Sequence, residues 1–71
     1  MAALRLSEAN LLKDKALAED AEREAKRVAD LFSRNMAADR ERDQARANAD
    51  AAGAQVQADQ VGVENAKLRL D

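Results

Sequence analysis

The segment Ser33-Arg34-Asn35-Met36-Ala37-Ala38-Asp39 separates two apolar repeats that cannot be joined through it. The apolar ladder before this segment ends at Phe32, and the ladder after it begins at Ala45. These positions lie 13 residues apart, which fits neither a continuing seven-residue repeat nor a repeat with a single stutter. The sequence therefore predicts two helices that meet at this segment.

Both ladders have the alternating three- and four-residue spacing of a coiled-coil seam. The seam positions before the segment are Leu4, Ser7, Leu11, Asp14, Ala18, Ala21, Ala25, Val28 and Phe32. Those after it are Ala45, Ala49, Ala52, Val56, Asp59, Val63, Ala66 and Leu70. We expect Phe32, the only aromatic residue, to form the last layer of the seam before the chain turns.

Two residues of the segment suit the ends of the helices. Asn35 tolerates the left-handed conformation that often ends a helix. Asp39 is predicted to be the N-cap of the second helix, its carboxylate accepting free amides of the first turn. The alternative is one uninterrupted helix, since neither glycine nor proline lies in the segment.

We therefore predict an all-α fold, an antiparallel two-helix coiled-coil hairpin, because a short link between long helices favours that arrangement. The hairpin is expected to be one domain over residues 1–71. Helix one covers about 3–34, the tip about 34–39 and helix two about 39–70.

The second helix carries a further apolar stripe beside its seam. We call it the outer stripe; it consists of Ala47, Ala51, Ala54, Ala58, Val61, Asn65 and Leu68. One partner helix requires only one stripe, so two stripes favour a helix that packs between two neighbours.

The sequence does not choose between two possible registers of the hairpin. One alignment pairs Val28 with Ala45 and places Asp14 opposite Asp59, two like charges in one layer. The other pairs Leu11 with Leu68 and Asp14 with Asn65, which avoids that repulsion but needs a longer tip.

Composition excludes several classes of function. The chain of 71 residues is 46% apolar, but 18 residues are alanine, so it cannot build a thick globular core. It has no cysteine or histidine, which removes thiol and imidazole catalysis and the usual zinc ligands. Twelve basic and 14 acidic residues with one aromatic argue against nucleic-acid binding. We predict no enzymatic activity, no metal and no cofactor.

The tip sequence resembles the helical hairpin of periplasmic adaptor proteins, or membrane fusion proteins, of tripartite resistance-nodulation-division (RND) multidrug efflux pumps. Adaptors of that family carry an arginine, a leucine four residues later and a serine seven residues further on. Arg27 and Leu31 match this spacing, whereas Ala38 stands at the serine position. The flanks at 11–18 and 66–71 are also similar.

The resemblance implies a structural role in drug export from the periplasm. The partners would be a TolC-type outer-membrane channel at the tip, neighbouring adaptor protomers at the sides, and an inner-membrane RND transporter through other parts of a larger adaptor. The hairpin itself would be soluble, and the parent protein would be attached to the inner membrane. The tip residues expected to bind the channel are Arg27, Leu31, Arg34, Asn35 and Ala38. The alternative function is a generic coiled-coil spacer or oligomerisation module with no role in transport.

Overall fold

The protein is a pair of long α-helices joined by a short turn. The computed structural model describes residues 2–69, with α1 at Ala2–Ser33 and α2 at Asp39–Leu68. The helices lie side by side and antiparallel, in a rod whose Cα atoms extend over 55 × 13 × 11 Å. The predicted all-α hairpin is confirmed, and residues 2–69 contain no strand. The predicted seam position Leu70 lies outside the described residues.

The seam follows the two ladders. Every predicted seam position from Leu4 to Ala66 is buried or half-buried. The tightest part lies near the tip, where Ala25, Val28, Ala45 and Ala49 form the core. Alanine side chains let the two backbones approach closely, but each buries little apolar area, so the helices are held by a thin seam.

The register is the one that places Asp14 opposite Asp59, because the two carboxyl groups lie close enough across the seam for each to shift the pKa of the other. The alternative register, with Leu11 opposite Leu68 and Asp14 opposite Asn65, is wrong. Both Asn65 and Leu68 are exposed on the far side of α2.

The turn ends α1 with a left-handed residue. Asn35 has a φ of 62°, as predicted, and is the single non-glycine residue with positive φ in the described part of the chain. Its N–H donates to the carbonyl of Phe32 at 3.0 Å, and the N–H of Met36 donates to the carbonyl of Leu31 at 2.8 Å. These two bonds form a Schellman motif, which satisfies carbonyls that the end of a helix leaves without partners.

The start of α2 differs from the prediction. The N-cap is Ala38, which has an extended backbone with φ −83° and ψ 156° and makes no side-chain cap bond. Asp39 is already the first helical residue, so it is not the N-cap that the sequence suggested. The Glu41 carboxylate accepts a hydrogen bond from the N–H of Ala38 at 3.5 Å. Asp39 and Glu41 place negative charge in the first turn, where the helix dipole favours it.

Candidate docking site at the hairpin tip

The five predicted tip residues lie at the closed end of the rod. Arg27, Leu31 and Arg34 come from the last two turns of α1 and the residue after them, Asn35 forms the turn, and Ala38 precedes α2. Leu31 is half-buried, and the other four are exposed. The Schellman turn reverses the chain direction, so the end of α1 and the start of α2 lie at the same end of the hairpin.

Arg27 is held in place by its own helix. Its guanidinium forms a two-bond ion pair with the Glu24 carboxylate, one bond running from Nε to Oε2 at 3.2 Å and the other from Nη2 to Oε1. The bonds to Glu24 raise the pKa of Arg27, and the negative charge of Glu41 across the tip adds to the rise. The same bonds from Arg27 lower the pKa of Glu24 below its usual value. The Arg27 guanidinium is therefore held in one orientation by its acidic partner.

Glu41 links Arg27 to the start of α2. It accepts the N–H of Ala38 and lies close enough to Arg27 to act on its charge. Arg27, Glu24 and Glu41 line a groove of about 580 Å³ between the helices, together with Arg40 and Gln44 on the α2 side. The groove is lined by apolar as well as polar side chains and carries charges of both signs.

The extreme end of the rod is open to solvent. Arg34 forms an exposed ion pair with Asp30, at 3.3 Å between Nε and Oδ2. Met36, two residues later in the chain, is 69% exposed. The turn therefore exposes both a positive charge and an apolar side chain to solvent.

Two contacts near the tip were absent from the sequence prediction. The Arg42 guanidinium lies over the ring of Phe32, 4.1 Å from its centroid, so the last seam layer is closed by a cation–π contact. Glu22 on α1 accepts two hydrogen bonds from Arg46 on α2, at 2.8 and 3.0 Å. Their signal is positional, because Glu22 and Arg46 each directly follow a seam residue, and opposite charges beside a seam commonly pair across it.

The outer stripe of α2 is a second surface. All seven of its residues are exposed, and Val61 and Leu68 are 55% and 71% exposed. The stripe lies on the face of α2 that points away from α1. The hairpin therefore leaves the second of its two apolar stripes without an intramolecular partner.

The titratable groups of the tip do not form a reactive arrangement. The groove between the helices brings together no nucleophile and base, and in residues 2–69 no group of three or more acidic side chains converges as metal ligands do. Neither helix is long and apolar enough, over the residues described, to cross a membrane.

Comparison with known proteins identifies the hairpin. The family model "RND MFP, alpha-helical hairpin domain" matches residues 3–71. No curated protein and no solved structure matches the chain. Membrane fusion proteins of this family are periplasmic structural adaptors, which act with an RND transporter and an outer-membrane channel, usually in multidrug efflux. With nearly its whole length matched and its fold a two-helix hairpin, the chain belongs to the alpha-helical hairpin domains of RND membrane fusion proteins.

Proposed function

We propose that this chain is the hairpin of a periplasmic adaptor that docks by its tip to a TolC-type outer-membrane channel and packs by its sides against hairpins of neighbouring protomers. The observation that carries the proposal is the exposed outer stripe of α2, within a chain matched almost entirely by the hairpin family. The contact with the inner-membrane transporter would be made by other parts of the adaptor.

Docking is assigned to Arg27, Leu31, Arg34, Asn35 and Ala38. The tip is rigid, since Asn35 and the Schellman bonds fix the turn, and Arg27 is oriented by Glu24. Residues 23–46 carry seven basic and five acidic side chains, so this end has a net charge of +2. An acidic surface at the channel mouth would be its electrostatic complement.

Arg27→Asp and Leu31→Ser, in the adaptor that carries this hairpin, test the docking assignment. Drug export should be lost while the amount of adaptor protein is unchanged. Arg23→Asp is the matched control, since Arg23 is also an exposed arginine with an acidic partner one turn back, but lies one turn further from the tip. Normal export in both tip variants would refute docking through these residues and favour a spacer without a transport role.

Lateral packing is supported by a match between the outer faces of the two helices. Asp14 lies opposite Asp59, so Leu12, two residues back on α1, lies at the level of Val61, two residues on along α2. Both side chains are exposed, and the exposed Leu6 and Leu68 lie at a second common level. When hairpins stand side by side with their tips aligned, α1 of one copy meets α2 of the next at these levels. This is a head-to-tail contact, the kind that builds a ring when the rotation between copies closes.

Charge complements this apolar match. Glu64 on the outer side of α2 lies at the level of Ala9, and α1 carries Arg5 and Lys13 one turn to either side of Ala9. A neighbouring α1 would therefore bring positive charge towards Glu64 from both directions.

A disulfide experiment tests the lateral contact separately. The double variant Leu12→Cys and Val61→Cys should give disulfide-linked multimers on oxidation, because a disulfide requires Cα atoms about 4.4–6.8 Å apart. The matched control is Leu12→Cys with Ala54→Cys, which moves the second thiol about 10 Å along the same stripe. Equal cross-linking in both variants, or none in either, would refute this packing.

A further inference from the structure

We propose that Asp14 and Asp59 form a pH-sensitive latch between α1 and α2, closed when the two carboxyl groups share one proton and weakened when both are ionised. We call these two residues the carboxyl pair. The latch lies in the half of the hairpin remote from the tip. This inference concerns the pairing of the helices and stands apart from docking and lateral packing.

The first observation is the position of the carboxyl pair. Both residues occupy seam positions, where the other side chains are apolar apart from Ser7. Only 16% of the Asp14 side chain is exposed, and the Oδ2 atom of Asp59 is closed off from solvent. Two negative charges in this layer would repel each other with little screening by water.

The second observation is an unfilled hydrogen-bonding position. Oδ1 of Asp59 accepts a hydrogen bond from Gln55 at 3.0 Å, whereas Oδ2 has no donor among the described groups when both carboxyls are ionised. A carboxylate is only an acceptor, so two carboxylates cannot bond to each other. One proton on Asp14 supplies the missing O–H donor and converts repulsion into a hydrogen bond from α1 to α2.

The charged surroundings do not remove the need for that proton. Lys13 is the cation beside the pair, with its Nζ atom 3.9 Å from Oδ1 of Asp14, but its side chain is 66% exposed and its charge is screened. On α2, Gln55 is polar and uncharged, and no other charged residue lies between Asp50 and Glu64. Lys15 also adjoins Asp14 on α1, and of these two cations Lys13 is the one that acts on the pKa of both carboxyls.

The pKa directions agree with this arrangement. The hydrogen bond with Asp59, followed by burial and the negative charge of Asp59, raises the pKa of Asp14 above 3.8, and Lys13 opposes the rise. The hydrogen bonds from Asp14 and Gln55 lower the pKa of Asp59. A group whose pKa is raised in the folded state stabilises the fold at pH values below its ordinary pKa. This contribution is lost as pH rises through the raised pKa. The Asp59 contribution is present above 3.8 and is lost as pH falls through its lowered pKa.

The consequence is local because the neighbouring layers are thin. Leu11 and Ala18 on α1 and Val56 on α2 are only half-buried, and Val63, one turn after Asp59, is the buried residue of this half in the part of the chain described. Ionisation of both carboxyls therefore weakens the remote half of the seam, while the core near the tip has no ionisable group within it. As pH rises, the hairpin should open from its remote end.

The test compares the chain with its Asp59→Asn variant. The asparagine keeps the oxygen that accepts from Gln55 and places an N–H₂ donor where Oδ2 stands, so it bonds to ionised Asp14 without a proton. We expect the variant to have the higher melting temperature at pH 8 and this advantage to shrink towards pH 4. Circular dichroism at fixed protein concentration measures both melting temperatures. Glu19→Gln is the matched control, since it removes one exposed negative charge of α1 outside the seam.

A second measurement does not depend on how well the variant folds. Carbon-13 NMR of the side-chain carboxyls in the unsubstituted chain should show one of the pair titrating above 3.8 and the other below it. Two ordinary, independent titrations would overturn the proposal. So would a melting-temperature difference from Asp59→Asn that is the same at pH 4 and pH 8, or helicity of the unsubstituted chain that does not fall between those pH values.

Discussion

Arg46 on α2 donates two hydrogen bonds to the carboxylate of Glu22 on α1, from Nη1 at 3.0 Å and from Nη2 at 2.8 Å, and so bridges the helices beside the core near the tip. The same guanidinium donates from Nε to Asp50 at 3.1 Å. Arg46 thus uses its planar fork on α1 and its remaining N–H on its own helix, a geometry that lysine does not reproduce.

Breaking this bridge should weaken the hairpin to a small extent. Arg46→Lys and Glu22→Gln are each expected to lower the melting temperature by a few degrees, because exposed ion pairs contribute little and salt screens them. The difference from the unsubstituted chain should shrink as salt is added. Asp20→Asn, which removes a pair within α1 only, is the control and should leave helix–helix pairing unchanged. A salt-independent loss would contradict an electrostatic bridge.

Acid should remove the contribution of Glu22. The hydrogen bonds from Arg46, followed by its charge, lower the pKa of Glu22 below 4.5. A group whose pKa is lowered in the folded state stabilises the hairpin at pH values above its ordinary pKa. This contribution is lost as pH falls through the lowered pKa. The melting-temperature gap between the chain and its Glu22→Gln variant should therefore close below pH 4.5, as followed by circular dichroism. A gap that widens in acid would show that another interaction carries the effect.

The left-handed turn residue should respond to backbone preference rather than to side-chain contacts. Asn35→Val is expected to cost about 1–2 kcal/mol in the free energy of unfolding, because a β-branched residue resists a φ of 62°. Asn35→Gly should be neutral or slightly stabilising, since glycine adopts this conformation freely. Met36→Val, at the next position of the turn, is the control for β-branching. Urea unfolding measures all three variants, and equal losses in Asn35→Val and Met36→Val would contradict the role of φ.

Replacing an alanine by leucine should reduce the free energy of unfolding much more in the seam than in the outer stripe. Ala49 is 5% exposed in the core, so Ala49→Leu should push the helices apart and cost about 1–3 kcal/mol. Ala47→Leu, two residues away on the exposed outer stripe, should leave the stability of the single hairpin nearly unchanged. Denaturant unfolding at low protein concentration measures the pair. If Ala47→Leu proved the more damaging of the two, this would contradict the orientation of α2 in which Ala49 faces α1 and Ala47 faces solvent.

A glycine within α2 offers a stabilising change. A Cβ built on Gly62 meets no atom within 4 Å, and the residue lies inside the helix. Gly62→Ala should therefore raise the free energy of unfolding by about 0.5–1 kcal/mol, through the lower entropy of the unfolded chain. Ala58→Gly, at another exposed position of α2, should lower it by a similar amount. Loss of stability in Gly62→Ala would indicate a neighbour that packs against this position.

Much of the hairpin could be predicted from residue spacing. The ladder from Leu4 to Phe32 and the ladder from Ala45 onward differ in phase, and that difference alone required a break between them. Asn35 was the local signal for the turn, and its φ of 62° bears this out. The N-cap was predicted one residue too late, because residue preference favours Asp39 whereas the path of the chain after Asn35 leaves Ala38 as the extended residue.

The candidate site was predictable only as a set of positions. Arg27 and Leu31 came from their resemblance to the tip motif of the adaptor family, and their assignment to a channel remains a proposal. The ion pair of Arg27 with Glu24, the influence of Glu41 and the contact of Arg42 with Phe32 could not be read from the chain. Each depends on side-chain rotamers and on the offset between the helices, which spacing does not specify.

Two helices with a seam between them follow from the amino-acid sequence, because the period of its apolar residues and the break in that period are local properties. The register depends instead on how the two helices pack. Sequence-level electrostatics disfavoured Asp14 opposite Asp59, yet the folded chain adopts that pairing. The physical reason is that the short turn at Asn35 and the close packing of Ala25, Val28, Ala45 and Ala49 set the offset of the helices near the tip. Rigid helices carry that offset along their length and bring the two carboxyls together.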